Sequence, residues 1–279
     1  IGHARALAKR LVAGDRWDLV FNIAEGVSGR SREAQVPALL EMYSIPCTFS
    51  DPLVCAMTLD KALTKRMIAA AGLPTPRFRL VGAEAEVEAV DLPYPLFAKP
   101  NAEGTGKGVD ATSRIETPKQ LRQVCRRLLA KYAQPVLVEE YLPGREFTVG
   151  ILGSGAEARV LGTLEVAVRA DAPTRDYGYL VKEKCEKFVE YLPVTRDGLR
   201  AEIEQLALAA HRVLECRDVA RVDVRLDAAG RPSFIEINPL PGMHPTHSDL
   251  PMIATAEGLS YRELLDAIVR SAMRRLNHA

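Results

Sequence analysis

The sequence predicts a mixed fold, part α/β and part α+β, arranged in lobes. Helical and strand-like hydrophobic patterns alternate along the chain, separated by short turn-like joints, with neither a fixed-period repeat nor a low-complexity tract. At 279 residues and 47% hydrophobic the chain can bury a large core, and its length suits two domains or one with distinct lobes. Near the start, residues 17–42 read as a strand, a loop and a helix, the unit from which parallel sheets are built.

The first lobe is expected over residues 1–56. A helical pattern at Ile1 to Leu11 comes first, then a strand from Trp17 to Ile23, a loop to Arg30, and a helix from Ser31 through Met42 with Ser31 as its cap. A helix is an unusual opening for a parallel sheet, so this lobe is expected to be incomplete. The second lobe, residues 57–143, begins after Ser50-Asp51-Pro52. A helix over Thr58 to Ala71 carries Leu59, Leu63, Met67 and Ala70 at helical spacing and stops at Gly72-Leu73-Pro74. Strands at RFRLV and PLFAK follow, then a glycine-rich loop, a helix from Pro118 to Tyr132 and a strand from Val136 to Tyr141. The third lobe, residues 144–279, has strand patterns at FTVGIL, RVLGTLEV, ARVDVRL and FIEIN and helices near 199–215 and 260–275, and is expected to carry the larger sheet.

Composition narrows the partners. The 37 basic and 36 acidic residues leave a net charge of +1, so no global field draws the protein to nucleic acid or to a membrane surface. Cys47, Cys55, Cys125, Cys185 and Cys216 are odd in number and include no C-x-x-C pair, against a disulfide frame or structural zinc. No apolar run approaches the ~20 residues needed to span a bilayer, and the opening IGHARALAKR lacks a signal-peptide core. A cytoplasmic protein acting on small molecules is expected. His3, His211, His244, His247 and His278 show no paired metal spacing, and Trp17 reads as a packing residue.

Three stretches carry chemistry. KPNAEGTGKGV, Lys99 to Val109, follows a strand and places glycines at every second position from Gly104 to Gly108. It fits neither the Walker pattern nor the dinucleotide pattern. Two readings stand on the loop alone: a polyphosphate-binding turn in which amide N–H groups and Lys99 face an anion, or a solvent-exposed turn. In ARVDVRLDAAGRPSFIEIN, alternation puts Arg221, Asp223 and Arg225 on one face, and Glu236 and Asn238 on another, opposite Ile235 and Ile237. A symmetric hairpin closing at Asp227 to Pro232 would set Asp223 opposite Glu236 and Arg221 opposite Asn238. Two carboxylates that close need a proton, an arginine or a cation, and hard oxygen donors without His or Cys favour Mg²⁺. We prefer the metal to a solvated face neutralised by Arg221 and Arg225, because Asn238-Pro239-Leu240-Pro241-Gly242 ends the strand in a loop able to aim N–H groups at a ligand. The third stretch, VLVEEYLPGREF, reads by itself as an acidic crossover between lobes whose backbone and carboxylates could also meet a nucleoside.

Taken together these stretches resemble the ATP-grasp superfamily, and within it the D-alanine–D-alanine ligases, over nearly the whole chain: MTLDKALTKRMIAAAGLPTP, LFAKPNAEGTGKGV, VEEYLPGREFTVGILG, ARVDVRLDAAGRPSFIEINPLPGM and AEGLSYRELL fall in the family's order. The resemblance implies an ATP-grasp fold with an incomplete Rossmann-like N-terminal lobe, and an ATP-dependent ligase that joins two D-alanines through an acyl phosphate for peptidoglycan synthesis. It implies ATP and two Mg²⁺ ions, with Mn²⁺ as a substitute, and a homodimer. By the same likeness Lys61 and Lys99 bind phosphates. Glu103 to Gly108, with Thr105 and Lys107, form the lid. Glu139, Tyr141, Leu142 and Glu146 hold adenosine, the two glutamates through the ribose, and Lys182 lies on a mobile loop beside ATP. Asp223, Glu236 and Asn238 hold the metals, Arg221 and the Gly242 amide form the oxyanion site, and Ser248 orients the second substrate.

Departures from the family pattern cluster around the amino-acid pocket. Residues 1–14 lack the family's opening strand and its glycine-rich turn with a substrate-binding glutamate. Glu25-Gly26 replaces His-Gly, which makes Glu25 the candidate for the first amino acid, and Gly29-Arg30-Ser31-Arg32 replaces an acidic turn. Gly106-Lys107 stands for Ser-Val, and Glu183 for a tyrosine. A ligase for other amino or hydroxy acids, and a nucleotide-binding homologue without ligase activity, therefore stand beside the leading reading.

Overall fold

The computed structural model of the protein describes residues 4–169, 171 and 185–277; Lys182 and Glu183 lie outside them. Chain order from the N-terminus is α1 (Ala4–Val12), α2 (Gln35–Met42), α3 (Pro52–Leu59) and α4 (Lys61–Ala70). A four-stranded antiparallel sheet follows in the order β1 (Phe78–Val81), β4 (Val136–Glu140), β2 (Leu96–Pro100), β3 (Arg114–Ile115), with α5 (Pro118–Tyr132) across one face. A five-stranded sheet has the order β7 (Val189–Pro193), β6 (Arg159–Val168), β5 (Glu146–Leu152), β8 (Val219–Leu226), β9 (Pro232–Asn238). The helices α6 (Cys185–Phe188), α7 (Gly198–Val213), α8 (Asp249–Ala256) and α9 (Tyr261–Asn277) complete the described chain.

Local chemistry explains α5 well. Thr117 and Gln120 form a reciprocal capping box, Pro118 takes the first turn, and Ala133 closes the helix in the left-handed region. Leu121, Val124, Cys125 and Leu128 then share the face that buries against Leu96, Ala98, Val136 and Val138. The larger sheet is covered on one side by α7, whose Ile203, Leu206, Ala207 and Ala210 meet Phe147, Val149, Val222 and Val224. On the other side α8 and α9 bring Leu250, Ile253, Leu264 and Ile268 onto Leu161, Leu164 and Val219.

Three expectations are corrected in the first 71 residues. Trp17 to Ile23 is extended but forms no strand. Val20 alone bridges Cys47 in parallel, with two backbone bonds of 2.9 Å. The next inward amide, that of Asn22, donates to the Thr48 hydroxyl (3.0 Å) instead of a carbonyl, and this ends the ladder. Trp17 does pack among the residues around Leu7 and Leu11. Ser31 does not cap α2: a 3₁₀ turn over Arg32–Ala34 precedes the helix, and the Ala34 amide goes to the Ser31 backbone carbonyl (3.0 Å).

The helix expected over Thr58 to Ala71 is two helices. Asp60 takes an extended ψ of 97° and its side chain accepts the Leu63 N–H at 3.0 Å, so it ends α3 and caps α4. Asp51 caps α3 in the same way. Of the stripe read from sequence, Leu63 and Ala70 face solvent; α4 buries Ala62, Thr64, Lys65 and Ile68 instead. Val54 and Ile68 join the core of the five-stranded sheet. The amphipathic stripe misled because the buried face of α4 carries a lysine.

His211 of α7 is fully buried, and neither ring nitrogen has a hydrogen-bond partner among the described residues. Burial, with Arg212 adding to it, pushes its pKa down from 6.5 to about 4. A base depressed in the folded state is neutral there while the unfolded chain takes up a proton, so stability is intact above pH 6.5 and falls as pH drops toward 4. Urea unfolding of His211→Leu should lack this component, which reaches about 3 kcal/mol at the acid end; an unchanged slope between pH 7 and 4.5 would contradict it.

Candidate active site

The β8–β9 hairpin carries the acidic half of the site. Its register sets Arg221 opposite Asn238, Val222 opposite Ile237 and Asp223 opposite Glu236, as the symmetric hairpin requires. Beyond Asp223 a bulge shifts the pairing by one residue, so Val224 faces Phe234. The expectation that Ile235 lies opposite Glu236 fails for that reason: the bulge turns Ile235 into the cleft, where it lines the same cavity as Glu236.

Arg221 is shared among acids. One guanidinium nitrogen lies 2.9 Å from Asp223 Oδ2 and 3.6 Å from Glu236 Oε1, and the other lies 2.9 Å from Asp249 Oδ2. Thr148 donates to Asp223 Oδ1 at 3.0 Å, Lys61 Nζ stands 3.5 Å from Glu236 Oε2, and Asn238 Oδ1 accepts the Leu240 N–H at 2.9 Å. Arg225 reaches Glu146 (3.6 Å) and the Tyr141 hydroxyl (3.1 Å). Among the described residues no three His, Cys, Asp or Glu side chains converge as a metal-holding group. The donor set is two carboxylates and one amide, hard oxygens on adjacent strands, and its chemistry fits Mg²⁺.

Across the cleft lies a buried ion cluster that sequence reasoning missed in part. Lys99 Nζ is 2.8 Å from Glu139 Oε1 and Lys65 Nζ is 2.9 Å from Glu139 Oε2, with Lys65 wholly buried and also 3.0 Å from Thr75 Oγ1. Burial alone would raise the Glu139 pKa, but the two ammonium groups outweigh it and hold the carboxyl below its usual range. Burial pulls Lys65 down to about 8 despite Glu139, whereas the Glu139 and Glu236 carboxylates overcome the same burial at Lys99 and raise it. Glu139 is therefore the counter-ion of two lysines, and it also lines the cavity between the sheets. The signal for Lys65 was present: it follows Lys61 by one helical turn and sits three residues from both Ala62 and Ile68.

The first cavity lies between the two sheets and is lined by Lys61, Lys99, Lys107 and Glu103 and by Tyr141, Leu142 and Glu146. Tyr141 stacks on Phe97 (6.3 Å between ring centres) and lies under the guanidinium groups of Arg114 and Arg225, at 4.6 and 5.0 Å. Glu140, which also lines this cavity, pairs with Arg77. The Tyr141 amide bonds Pro95 O at 3.1 Å.

The glycine-rich loop is anchored at its root. Asn101 Oδ1 accepts the Ala62 N–H at 2.9 Å and Asn101 O accepts the Lys61 N–H at 3.1 Å, which ties the loop to the first turn of α4. Thr105, Gly106 and Gly108 all have positive φ, and a Cβ on Gly108 would sit 2.4 Å from the Pro100 ring, so that turn requires glycine. Two of its amides bond within the loop, Lys107 N–H to Gly104 O and Val109 N–H to Gly106 O.

A second cavity adjoins the first, sharing Lys61, Glu103 and Glu236 with it. Glu25 and Glu33 form one wall, Lys61, Arg221, Glu236 and Asn238 a second, and Gly242 with Ser248 a third, while Glu103 and Thr105 of the loop close it. Ser248 Oγ accepts the His244 N–H (3.0 Å) and would lie 2.7 Å from a Cβ at Gly242, so the residue at 242 must be small. Glu33, which sequence analysis did not single out, has its pKa raised to about 7, first by burial and then by Glu25 and Glu236 against the pull of Arg32 and Lys61. Tyr191, also unforeseen, donates to Asp249 Oδ1 at 2.9 Å. Of the expected site residues, Lys182 lies outside the described residues; every other one borders one of the two cavities.

Known proteins resemble this chain in sequence and fold. Residues 67–270 match the family described as "D-ala D-ala ligase C-terminus". The chain is 36% identical over 271 residues to the D-alanine–D-alanine ligase of Bordetella petrii, covering 96% of this chain and 79% of that one. It is 37% identical over 264 residues to uncharacterized protein y4sG of Sinorhizobium fredii, covering 92% and 75%. The solved D-alanine–D-alanine ligase of Bacillus anthracis complexed with ATP superposes with a TM-score of 0.79 at 22% identity, over 100% of this chain and 86% of that one, so the two share one fold.

Removing one partner of a buried ion cluster leaves charge uncompensated. Lys65→Met should lower unfolding free energy by about 3–5 kcal/mol in urea titration; a loss under about 1 kcal/mol would mean that Lys99 alone satisfies Glu139.

Proposed function

Because the chain belongs to the D-alanine–D-alanine ligase family, whose fold is the ATP-grasp fold, we propose that it is an ATP-dependent ligase that joins D-alanine to D-alanine through an acyl phosphate. The observation that carries this reading is the pair of adjoining cavities: one lined by three lysines, the other with acidic and cationic walls, and a glycine-rich loop bordering both.

In this assignment Lys61 and Lys99 contact the phosphates, with Lys99 held charged by Glu139, and Lys107 and Glu103 cover them from the lid. Tyr141 and Leu142 offer the adenine a stacked wall and backbone, and Glu146 takes the ribose hydroxyls. Asp223, Glu236 and Asn238 would hold two Mg²⁺ ions, for which Mn²⁺ can substitute. Such ions, when bound, neutralise charge on the transferring phosphoryl group. The first amino acid's carboxylate attacks the γ-phosphorus where the cavities join, the bond to the bridging oxygen breaks and ADP leaves with the bonding pair, and Glu25 stands ready for the amino acid's ammonium. The second substrate's amine attacks the acyl carbon and phosphate leaves with the bonding pair. Arg221 and the Gly242 N–H face the developing oxyanion, Ser248 orients the second carboxylate, and the lid excludes water. Cytoplasmic residence and a homodimeric state belong to the same proposal. Among the described residues no helix is long and apolar enough to cross a membrane.

The acidic wall of Glu25 and Glu33 favours a second reading, a ligase for a different amino or hydroxy acid. Phosphate release from ATP, screened over D- and L-amino acids and hydroxy acids with mass-spectrometric detection of product, separates the two: release with D-alanine and formation of D-alanyl-D-alanine is the expected result, and release only with another acid selects the second. No release with any acid overturns both. Asp223→Asn and Glu236→Gln should each cut turnover ~10²-fold or more; full activity in either removes the metal assignment.

A further inference from the structure

The loop between Gly26 and Ala34 touches both the second cavity and the lid. Gly26 has a φ of +72°, and a Cβ there would lie 2.4 Å from the Arg32 carbonyl oxygen, so the loop folds tightly on itself and turns the Arg32 side chain toward the neighbouring lobe. Arg32 Nη1 donates to Ala102 O at 2.7 Å and Nη2 lies 3.9 Å from Glu103 Oε2, with the Arg32 side chain only 14% exposed. Two residues earlier, Arg30 pairs with Asp60 at 2.6 Å, the residue that caps α4 just before Lys61.

The lid root is thus held from three elements. Gln134 accepts the Ala102 N–H at 2.6 Å and donates to Glu103 Oε1 at 2.8 Å, and Lys61 Nζ donates to Glu103 O at 2.5 Å. Only the arginine belongs to the N-terminal lobe. Its neighbour Glu33 faces the second cavity, and both lie in one 3₁₀ turn, so the carboxylate that borders the amino-acid pocket and the guanidinium that grips the lid are joined through a single rigid peptide.

We propose that Arg32 is a positioning residue that couples the N-terminal wall of the amino-acid pocket to the lid, keeping Glu103 and the loop beyond it closed over the acyl phosphate. The inference rests on the ligase reading for its chemical consequence. With the lid closed, an amine nitrogen attacks the acyl carbon, the carbon–oxygen bond to phosphate breaks, and the amine loses its proton. With the lid loosened, a water oxygen attacks the same carbon. The carbon–oxygen bond to phosphate breaks, one water proton passes to the departing phosphate and the other to solvent, the amino acid is returned as its carboxylate, and ATP is consumed without product.

Arg32→Gln removes the charge and keeps a side chain of similar reach. With both substrates saturating, phosphate released per dipeptide formed should rise from near one to about fivefold or more, because one charge-assisted hydrogen bond to the lid is lost. A destabilised fold would lower both products together and leave that ratio alone. In ligand-free protein, a protease specific for lysine should cut after exposed Lys107 about fivefold faster in the variant, with cleavage after Lys119 in α5 unchanged. Arg32→Lys, which can still donate to Ala102 O, should fall between the two. A product ratio equal to wild type overturns the inference, as does faster cleavage at Lys107 and Lys119 alike. Should the wild-type protein form no dipeptide, the ligase reading fails, and the Lys107-to-Lys119 cleavage ratio alone decides whether Arg32 holds the lid.

Discussion

The carboxylate of Glu139, clamped between Lys65 and Lys99 at 2.9 and 2.8 Å, is the contact on which the site depends. Two cations and one anion out of water leave a surplus of one positive charge, and the surplus borders the cleft between the sheets. A lysine alone at that depth would shed its proton; a lysine beside a carboxylate keeps it. Lys99 is thereby held as an ammonium at the end of β2, where a polyanion can reach it. The same cluster joins three elements, since Lys65 comes from α4, Lys99 from β2 and Glu139 from β4. Phosphate binding and the seating of α4 against the smaller sheet are therefore one interaction.

Around that cluster the first turn of α4 acts as a hub. Asp60 caps the helix and receives Arg30 from the N-terminal lobe, the amides of Lys61 and Ala62 hold Asn101 at the start of the lid, and the Lys61 ammonium spans from Glu103 O to Glu236. On the opposite wall, Arg221 draws Asp223, Glu236 and Asp249 together from β8, β9 and α8. Acids and cations so distributed meet at short range without being buried as isolated charges, and they leave both cavities with one cationic and one acidic side.

The β8–β9 hairpin shows how a small irregularity decides a site. Upstream of the bulge the register pairs Asp223 with Glu236, and both carboxylates look into the cleft. The bulge then absorbs Ile235, which keeps Phe234 and Ile237 in the core while giving the cavity between the sheets an apolar lining residue. Strict alternation along β9 would have placed Ile235 in the core.

What the sequence by itself determined is local and periodic. The helical pattern from Pro118 to Tyr132 marked α5 from end to end, period-two alternation set Asp223 and Glu236 on facing strands, and the order of the motifs carried the family. Those signals need only neighbours within a turn or a hairpin. Tertiary structure alone decided what depends on distant partners. The face of α4 that turns inward is chosen by Glu139, 74 positions beyond Lys65, so a lysine lies where an apolar residue was expected. The extended segment at Trp17 to Ile23 stays unpaired past Val20 because the Thr48 hydroxyl takes the next amide. Asp60 splits one periodic stretch into two helices because its carboxylate serves Leu63 and Arg30 at once. Arg32 finds the lid 70 residues away only when the fold has brought the lobes together; charge and hydrogen-bond complementarity over such separations leaves no period in a sequence.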